Sequence, residues 1–454
     1  MSRSVPSKLV SYSGLPIGVS HKNFDISFNS LIPTNSTGGS QFKTTGINRI
    51  LFTVPAYQNC FLDNARSHLA FSFETDTEHV HLCTSLGTSA LFSRLILRSG
   101  PNVIEDITNL DTLNKILSSM DDKNDSRLSE GVYNREFSGG ALSTARTSKI
   151  GAKQFNQVEL NYIFRHGLLN EKLGSYLPLH SMNSSDGRAF TIELYLNDPS
   201  KCLQWCNVDS TTEPTGLANA TYILSNVRYQ MCLLRADQTI IDRFNNLSGN
   251  GQITIPFSTF RSYQNSVSNT TNITQVAEAC SDLRKIHTVI ISGATSEISH
   301  SKVQPYPTET TFLGGWENSV MKVEEMQLQV GNKYIFTEPL KAISDDSQLM
   351  AQVKNTSYHK GNMLLETVDQ TTDSLRPAYE DTLFHMTTSF CYESSALMTN
   401  GISLGSMPLI MRVKVDTASS GKIFLSQSEC GYNLVIKDGI ASIKDTKDPN
   451  DYGY

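Results

Sequence analysis

Hydrophobic and polar residues alternate along much of the chain in short runs that are typical of β-strands. Leu69, Phe71 and Phe73, for example, alternate with small or polar neighbours, and a period of two marks a strand with one buried face. Similar runs recur from Ile50 almost to the end of the chain, separated by segments rich in Gly, Pro, Asn and Ser. Many short strands with few helices predict an all-β fold.

Two stretches show a helical pattern instead. Leu110, Leu113 and Leu117 would share one side of a short helix over residues 109–117. A second helix is predicted late in the chain, over residues 378–398. Both helices would lie in long connections between strands.

Two segments show no periodicity. Residues 119–154 are polar and include Gly139, Gly140 and Gly151, and a loop of that length inside a compact domain is often functional. Residues 1–24 contain Arg3, Lys8 and Lys22 but no acidic residue. We interpret residues 1–24 as a flexible, basic N-terminal arm.

The chain also repeats itself at a nearly fixed separation. The segments L-G-S-Y-L-P-L and L-G-S-M-P-L contain Gly174 and Gly405, respectively. The turn glycines Gly100 and Gly331 are separated by the same number of residues as Gly174 and Gly405. Each turn glycine follows a strand-like run and precedes apolar residues, a carboxylate and a helix-like stretch. Self-similarity at a fixed separation indicates that one fold is used twice.

A chain of 454 residues is too long for one ordinary core and suggests two or three domains. The strand-like runs of the first copy end near Ile241, and turn-forming residues crowd into residues 245–252. The sequence therefore predicts two tandem eight-stranded jelly rolls, residues 25–245 and 246–454, with short helices in the long connections. The two L-G-S segments are expected to occupy equivalent places in them.

Charge and cysteine content restrict the classes of function that the chain could have. The formal net charge is −6 and no long basic run is present, which argues against broad binding of nucleic acid by the folded body. The chain shows neither a run of about 20 apolar residues for a membrane span nor the apolar region of a signal peptide. The eight cysteines, including Cys202 and Cys206, are therefore expected to be reduced thiols.

One motif resembles a catalytic nucleophile. The segment G-I-S-L-G places Ser403 in a G-x-S-x-G pattern, which needs a strand before the serine and a helix after it. Here a proline and a strand-like run follow. We interpret Ser403 as part of a turn before a strand, and we expect no catalytic residue.

Two further segments resemble metal sites. His79, His81 and Cys83 would share one face of a strand, as metal ligands do in cupin-type β-barrels, but the glutamate of the cupin pattern is missing. Residues 121–130 resemble a calcium loop, with Arg127 where the EF-hand needs glycine. Ordinary strand-edge histidines and a solvated acidic loop are the preferred interpretations, so no metal or other cofactor is expected.

Several stretches resemble a known family. They are LFSRLILRSGPNVIEDITNLDTL and SYLPLHSMNSSDGRAFTIELYL in the first copy, and MQLQVGNKYIFTEPL followed by SQLMAQV in the second. Together they are similar to the double-jelly-roll major capsid proteins of DNA viruses, in particular those of polinton-like viruses, adintoviruses and virophages. The resemblance covers most of residues 45–445 through loose patterns rather than invariant signatures.

The resemblance implies a structural shell subunit of a virion that encloses a DNA genome. It implies a homotrimer with a six-sided outline, because three chains with two similar rolls each provide six similar blocks. Neighbouring trimers and penton or minor capsid proteins would be its partners. The basic arm, residues 1–24, would contact an inner membrane or the genome, or clasp a neighbouring subunit. Synthesis in the host cell without a signal peptide is expected.

Two alternatives from other classes stay open at this point. A two-domain β enzyme of the bicupin type should bind stoichiometric metal. A jelly-roll attachment or spike protein should remain a discrete oligomer and bind glycan. A shell protein should form trimers that associate laterally.

Overall fold

A computed structural model of the chain describes residues 24–36, 41–77, 80–82, 87–120, 158–170, 176–183, 187–205, 216–247, 252–292, 299–300, 323–341, 348–349, 351–352, 385–391, 401–416 and 422–445. Of the predicted N-terminal arm, only Phe24 lies in this part, and it begins the first strand. The long loop predicted over residues 119–154 lies outside the described residues, apart from its first two positions, which end a helix.

The described strands up to residue 236 are β1 (Phe24–Leu31), β2 (Arg49–Pro55), β3 (Cys60–Thr75), β4 (Val80–Leu82), β5 (Phe92–Ser99), β6 (Asn102–Thr108), β7 (Val158–Tyr162), β8 (Leu177–Pro178), β9 (Arg188–Leu196), β10 (Leu203–Trp205) and β11 (Tyr222–Ala236). Eight of them form two antiparallel sheets, sheet A with order β1-β11-β3-β7 and sheet B with order β2-β9-β5-β6. We call these two sheets the first roll.

The later strands are β12 (Gln252–Val267), β13 (Thr271–Ala277), β14 (Leu283–Ser292), β15 (Ser299–His300), β16 (Val323–Val330), β17 (Lys333–Tyr334), β18 (Leu340–Lys341), β19 (Met386–Ser389), β20 (Leu409–Val415), β21 (Lys422–Lys437) and β22 (Ile440–Asp445). Sheet C has order β12-β21-β14-β19 and sheet D has order β13-β20-β16-β17. We call these two sheets the second roll.

The two rolls share one topology. In each roll the first strand of one sheet pairs with the last long strand, β1 with β11 and β12 with β21. The remaining strands occupy matching positions in both pairs of sheets. The predicted fold of two eight-stranded jelly rolls is therefore confirmed by the strand orders. A small extra sheet, β15-β10-β4, joins strands from both parts of the chain.

The turn glycines predicted from the repeat hold equivalent places. Gly100 joins β5 to β6 and Gly331 joins β16 to β17, each at the first position of a two-residue turn. Both have positive φ, +54° and +55°, a conformation that glycine adopts without steric cost. The shift that takes Gly100 to Gly331 therefore relates corresponding hairpins of the two rolls.

The two L-G-S segments match only in part. Leu177 pairs with Leu62 at the beginning of β3, and Ile402 pairs with Leu283 at the beginning of β14. Both segments thus lie beside corresponding strands, although Gly174 is outside the described residues. The prediction of equivalent places fails after the prolines, because Pro178 leads into a 3-10 helix whereas Pro408 leads directly into β20.

The helices in the described part of the chain are α1 (Leu110–Met120), α2 (Pro199–Cys202) and α3 (Gln238–Leu247), with 3-10 turns at Gly87–Leu91, Gly167–Leu169, Leu179–Ser181 and Leu217–Asn219. The helix predicted over residues 109–117 is confirmed by α1. The predicted boundary over residues 245–252 spans the end of α3 and the first residue of β12. No helix in the described part of the chain is both long and apolar enough to cross a bilayer.

The helix predicted over residues 378–398 is wrong where the structure describes it. Met386–Ser389 is strand β19, which pairs with β14 so that Met386 lies opposite Thr288. Thr387 and Thr388 are β-branched and favour extended backbone. Pairing with a neighbouring strand therefore outweighs the helical pattern of the surrounding sequence.

The cores of the two rolls differ in composition. Aromatic rings fill the first roll, where Phe92, Tyr162, Phe164 and Tyr229 form a chain of edge-to-face contacts with centroids 4.8–6.1 Å apart. Aliphatic residues dominate the second roll, among them Ile286, Ile290, Met411, Val413 and Leu425. Buried residues of both rolls belong to one continuous hydrophobic cluster, so the rolls pack against each other.

Candidate functional site

The candidate nucleophile lies directly before an exposed turn, which is closed by a hydrogen bond from the Met407 amide to the Leu404 carbonyl oxygen. Ser403 is exposed, Gly405 has φ +61° and strand β20 begins at Leu409. A turn and then a strand thus follow Ser403, as the interpretation of this segment expects. A nucleophile elbow would require a helix after the serine, and the described residues after Ser403 form a strand.

The candidate metal ligands are only partly described. His81 lies in strand β4 opposite Gln204, whereas His79, Cys83 and residues 121–130 lie outside the described residues. In the part of the chain that the structure describes, no three His, Cys, Asp or Glu side chains come together as metal ligands would.

The described cysteines are thiols. Cys202 is buried, and Cys206 lies outside the described residues. The thiols of Cys280 and Cys430 are buried with their Sγ atoms 3.6 Å apart. Since a disulfide needs about 2.05 Å between sulfurs, this pair is hydrogen-bonded rather than covalently linked. The hydrogen bond from Cys430 lowers the pKa of Cys280, and it raises the pKa of Cys430.

The most developed polar arrangement is the contact between the two rolls, which we call the seam. Asn109 connects β6 to α1 and has φ +51°, a left-handed conformation that asparagine tolerates better than most residues. Its Nδ2 donates to Ser262 Oγ at 2.9 Å, and its Oδ1 accepts from Gln264 Nε2 at 3.2 Å. One side-chain amide thus joins the start of α1 to strand β12 of the other roll.

Gln427 completes this contact from strand β21. Its Nε2 donates to the carbonyl oxygens of Thr108 and Asn109, at 3.2 and 3.3 Å, and lies 3.3 Å from Ser262 Oγ. The Asn109 carbonyl also accepts from the Leu113 amide in the first turn of α1, so Gln427 adds a second donor at the start of the helix. The seam therefore ties backbone groups of the first roll to a buried side chain of the second roll.

The tip of the β5–β6 hairpin contacts strand β22. Asn102 Nδ2 donates to the Ala441 carbonyl oxygen at 3.0 Å, and the Ala441 amide donates to Ser99 Oγ at 3.2 Å. Beside them, Gly439 has φ +81°, and a Cβ there would collide with the carbonyl oxygen of Asn183. The backbones of the two rolls therefore touch at Gly439.

A buried carboxyl lies near the same contact. Glu105 of β6 is 2% exposed, and its Oε2 accepts a hydrogen bond of 2.9 Å from the Leu168 amide. The Thr259 hydroxyl of β12 faces the carboxyl without making a hydrogen bond of ordinary geometry. Burial raises the pKa of Glu105 to about 7, and these two neighbours lower it only in part. A Cβ at Gly167 would collide with the carboxyl.

Strand β1 lies at the edge of sheet A and carries large exposed apolar side chains. Ile26 and Phe28 are 53% and 69% exposed, and Ile32, directly after the strand, is 67% exposed. Leu31 lies opposite the buried Tyr229 and points towards the core of the first roll. Because successive side chains alternate between faces, Ile26 and Phe28 point away from that core.

A second region with exposed apolar side chains begins at strand β17. We call residues 333–341 the second corner. Tyr334 and Ile335 are 51% and 36% exposed, and the Arg412 guanidinium lies 5.7 Å from the centre of the Tyr334 ring. Residues 335–341 and Gln348 line an open depression of about 490 Å³. The two apolar side chains are thus flanked by polar and charged residues, Thr337, Glu338 and Lys341, an arrangement found at interaction surfaces.

Sequence reasoning misses the residues of the seam. The pattern marks Asn109 only as the first residue of a helix, and its positive φ has no signature beyond the residue type. Gln427 offers a stronger signal, because the polar run Ser426-Gln427-Ser428-Glu429 interrupts an otherwise apolar strand. All four residues are buried, and such a run indicates a strand covered on both faces.

Comparison with solved structures identifies proteins of the same fold. The chain is similar to the PBCV-1 VP54 protein fitted into a reconstruction of the virophage Sputnik, with a TM-score of 0.60 and 11% identity over 95% of this chain and 99% of that chain. It is similar to the Sputnik virophage structure, with a TM-score of 0.56 and 10% identity over 95% and 91%. The Faustovirus major capsid protein gives a TM-score of 0.50, 10% identity and 91% of both chains.

These neighbours are double-jelly-roll proteins, so the resemblance expected from the sequence is confirmed at the level of fold. No family model matches the sequence, and no curated protein matches it. Identities of 9–11% over nearly complete chains show that the architecture persists while almost every side chain differs.

Proposed function

We propose that the chain is the major capsid protein of an icosahedral DNA virus and that its role is structural rather than catalytic. The observation that carries the proposal is the duplicated roll, since sheets A and B repeat in sheets C and D with the same strand order. The solved structures with this duplicated fold include a Faustovirus major capsid protein and the PBCV-1 virus capsid. The protein would be located in the virion.

In this proposal three chains form a trimer with a pseudo-hexameric outline, and such trimers tile the shell. Each chain contributes two blocks, residues 25–245 and 246–454, so that three chains provide six similar blocks around one axis. Homo-oligomers with closed symmetry are the rule among soluble assemblies. The seam between the rolls of one chain supports this arrangement, because two such blocks pack side by side there.

The partners in the proposal are chiefly further copies of the same chain. Trimers would contact neighbouring trimers laterally and would meet penton and minor capsid proteins at the vertices and edges of the shell. Residues 1–24, with three basic residues and no acidic one, would contact the genome or an inner membrane. The folded body would make no specific contact with nucleic acid.

The test is the mass and shape of the purified protein. Light scattering should give three times the 50.3 kDa mass of one chain, and negative-stain images should show particles with a hexagonal outline. A stable single chain would contradict the proposal. A dimer that binds one metal ion tightly in each roll would favour the bicupin alternative.

A further inference from the structure

The two rolls present the same strand to very different surroundings. Strands β1 and β12 hold the same position, each at the edge of its sheet and each paired with the last long strand of its roll. On the outward face of β12, Phe260 is buried and Ser262 is half-buried and hydrogen-bonded to Asn109 at the start of α1 in the first roll. The outward face of β1 is exposed at Ile26 and Phe28.

The segment of the first roll that covers β12 also has a counterpart in the second roll. On the first roll, the cover consists of Thr108 and Asn109, at the end of β6 and the start of α1. Thr108 lies opposite Arg94 in β5, and Lys341 lies opposite Glu325, the residue of β16 that corresponds to Arg94. The counterpart of Thr108 is therefore Lys341, at the end of the second corner. Like the outward face of β1, this corner carries apolar side chains that are exposed in the described part of the chain, at Tyr334 and Ile335.

We propose that the outward face of β1 of one copy packs onto the second corner of another copy, so that the seam is repeated between chains. Both surfaces carry exposed apolar side chains, Ile26 and Phe28 on one and Tyr334 and Ile335 on the other. Each is the structural counterpart of a surface that contacts the other roll within the chain. Ile26 and Phe28 would lie against Tyr334, Ile335 and the depression lined by residues 335–341. This inference rests on the proposed trimer and names the surfaces that form it.

The contact joins two different surfaces and is therefore heterologous. Such a contact closes into a ring when the rotation between neighbours fits, and it continues as a filament when the rotation does not fit. In a closed ring of three chains, a seam within each chain alternates with a seam between neighbouring chains. Every outward face of β1 and every second corner is then in contact. A closed trimer would then expose neither Phe28 nor Ile335.

The first experiment is cross-linking of the full chain under mild oxidation. The double variant Phe28→Cys with Ile335→Cys should give a covalently closed trimer on a non-reducing gel. Each single variant should remain a single chain on the gel, because a heterologous contact never brings two copies of one position together. The control pair is Ile273→Cys with Ile335→Cys. Ile273 lies on β13 and is 62% exposed, close to the 69% of Phe28, and this pair should not cross-link.

The second experiment measures mass by light scattering. Phe28→Asp should convert the trimer to single chains at micromolar concentration, whereas Ile273→Asp should remain a trimer. Both side chains are exposed, so the thermal unfolding of the separated chain should be unchanged, which shows that the variants fold.

Three outcomes would overturn the inference. If the wild type is a trimer, the Phe28→Asp variant is also a trimer, and the double cysteine variant gives no cross-linked trimer, then these surfaces do not form the contact. The proposed capsid role would remain intact. Loss of the two engineered thiols without any band of higher mass would mean that β1 reaches the corner of its own chain. A wild-type protein that is a single chain would end both the inference and the proposed function.

Discussion

Strands β12 and β1 occupy the same position in the two rolls, yet the outward face of β12 contacts the first roll around Phe260 and Ser262, whereas that of β1 is exposed. Phe260 on β12 is 5% exposed, whereas Phe28 on β1 is 69% exposed. Ser262 and Gln264 on β12 have partners in the first roll. The described residues place nothing comparable beside Ile26 and Phe28.

The difference shows that the topology of a roll does not determine the environment of its edge strand. The environment depends on which surface packs beside it, and only one of the two edges has such a neighbour within the described part of the chain. Outward residues of β12 include polar groups matched to Asn109, while those of β1 include large apolar side chains that lie exposed. Substitutions at the two edges should therefore have unequal effects on the folding of a single chain.

The largest effect is expected from the matched substitutions Phe260→Ala and Phe28→Ala. Phe260→Ala should reduce the free energy of unfolding by about 4 kcal/mol, because it removes a buried ring and leaves a cavity. Phe28→Ala should change it by less than about 0.5 kcal/mol, since the ring is exposed in the separated chain. Urea unfolding at a concentration where light scattering gives single chains provides the measurement. Equal losses for the two variants would contradict the comparison.

A somewhat smaller effect is expected at the backbone contact of the seam. Gly439→Ala should cost about 3 kcal/mol, because it combines a positive φ with a collision against Asn183. Gly100→Ala has a similar φ but no atom within 4 Å of the added Cβ, so it should cost about 1 kcal/mol. If the two variants unfold at the same urea concentration, the rolls do not touch at Gly439.

The buried carboxyl should make the stability of the seam depend on pH. The pKa of Glu105 rises from 4.5 to about 7 on folding, so the folded state holds the proton more tightly than the unfolded state. The contribution of the protonated carboxyl to the free energy of unfolding is therefore complete below pH 4.5. It is lost as pH rises through 7, and the free energy of unfolding falls by about 2 kcal/mol between pH 5 and 7.

Glu105→Gln should remove this loss, because the amide stays neutral and its oxygen can still accept from Leu168. Unfolding free energies of both proteins at several pH values between 4.5 and 8 give the comparison. The variant should become more stable than the wild type above pH 7. Parallel pH profiles for the two proteins would show that Glu105 is not responsible.

The smallest effect is expected at Asn109. Asn109→Gly keeps the freedom to adopt positive φ and removes only the side-chain hydrogen bonds to Ser262 and Gln264, at a cost of about 1 kcal/mol. Asn109→Ala should cost about 1 kcal/mol more, because alanine is strained at positive φ. Chemical unfolding of both variants separates the two contributions. An Asn109→Ala variant as stable as the glycine variant would argue against backbone strain at this position.

The sequence predicts the parts of the fold that leave a local or periodic signature. Alternating apolar residues mark strands such as β3, leucine spacing marks α1, and the repeated turn glycines Gly100 and Gly331 reveal the duplication. Each of these signals records the burial of one face or the shape of one turn. That information is sufficient for two jelly rolls in tandem.

The seam cannot be predicted in this way, because it depends on which surfaces meet. Periodicity reports that a side chain is buried but does not name its partner, so the pairing of Asn109 with Ser262 leaves no trace. The prediction of a helix at strand β19 is wrong for the same reason, since its partner β14 lies far earlier in the chain. The exposed Phe28 likewise looks like any apolar residue of an alternating strand until its surroundings are known.

The pairing of first and last strands in each roll has a consequence for synthesis on the ribosome. Phe24 lies opposite Ala236, and Gln252 lies opposite Lys437, so neither roll can close until its last strand has been made. Contacts this distant in sequence form slowly, and the growing chain must keep the unpaired edge of β3 or β14 from aggregating in the meantime. The first roll can close while the second is still being translated, so the order of synthesis separates two slow folding steps in time.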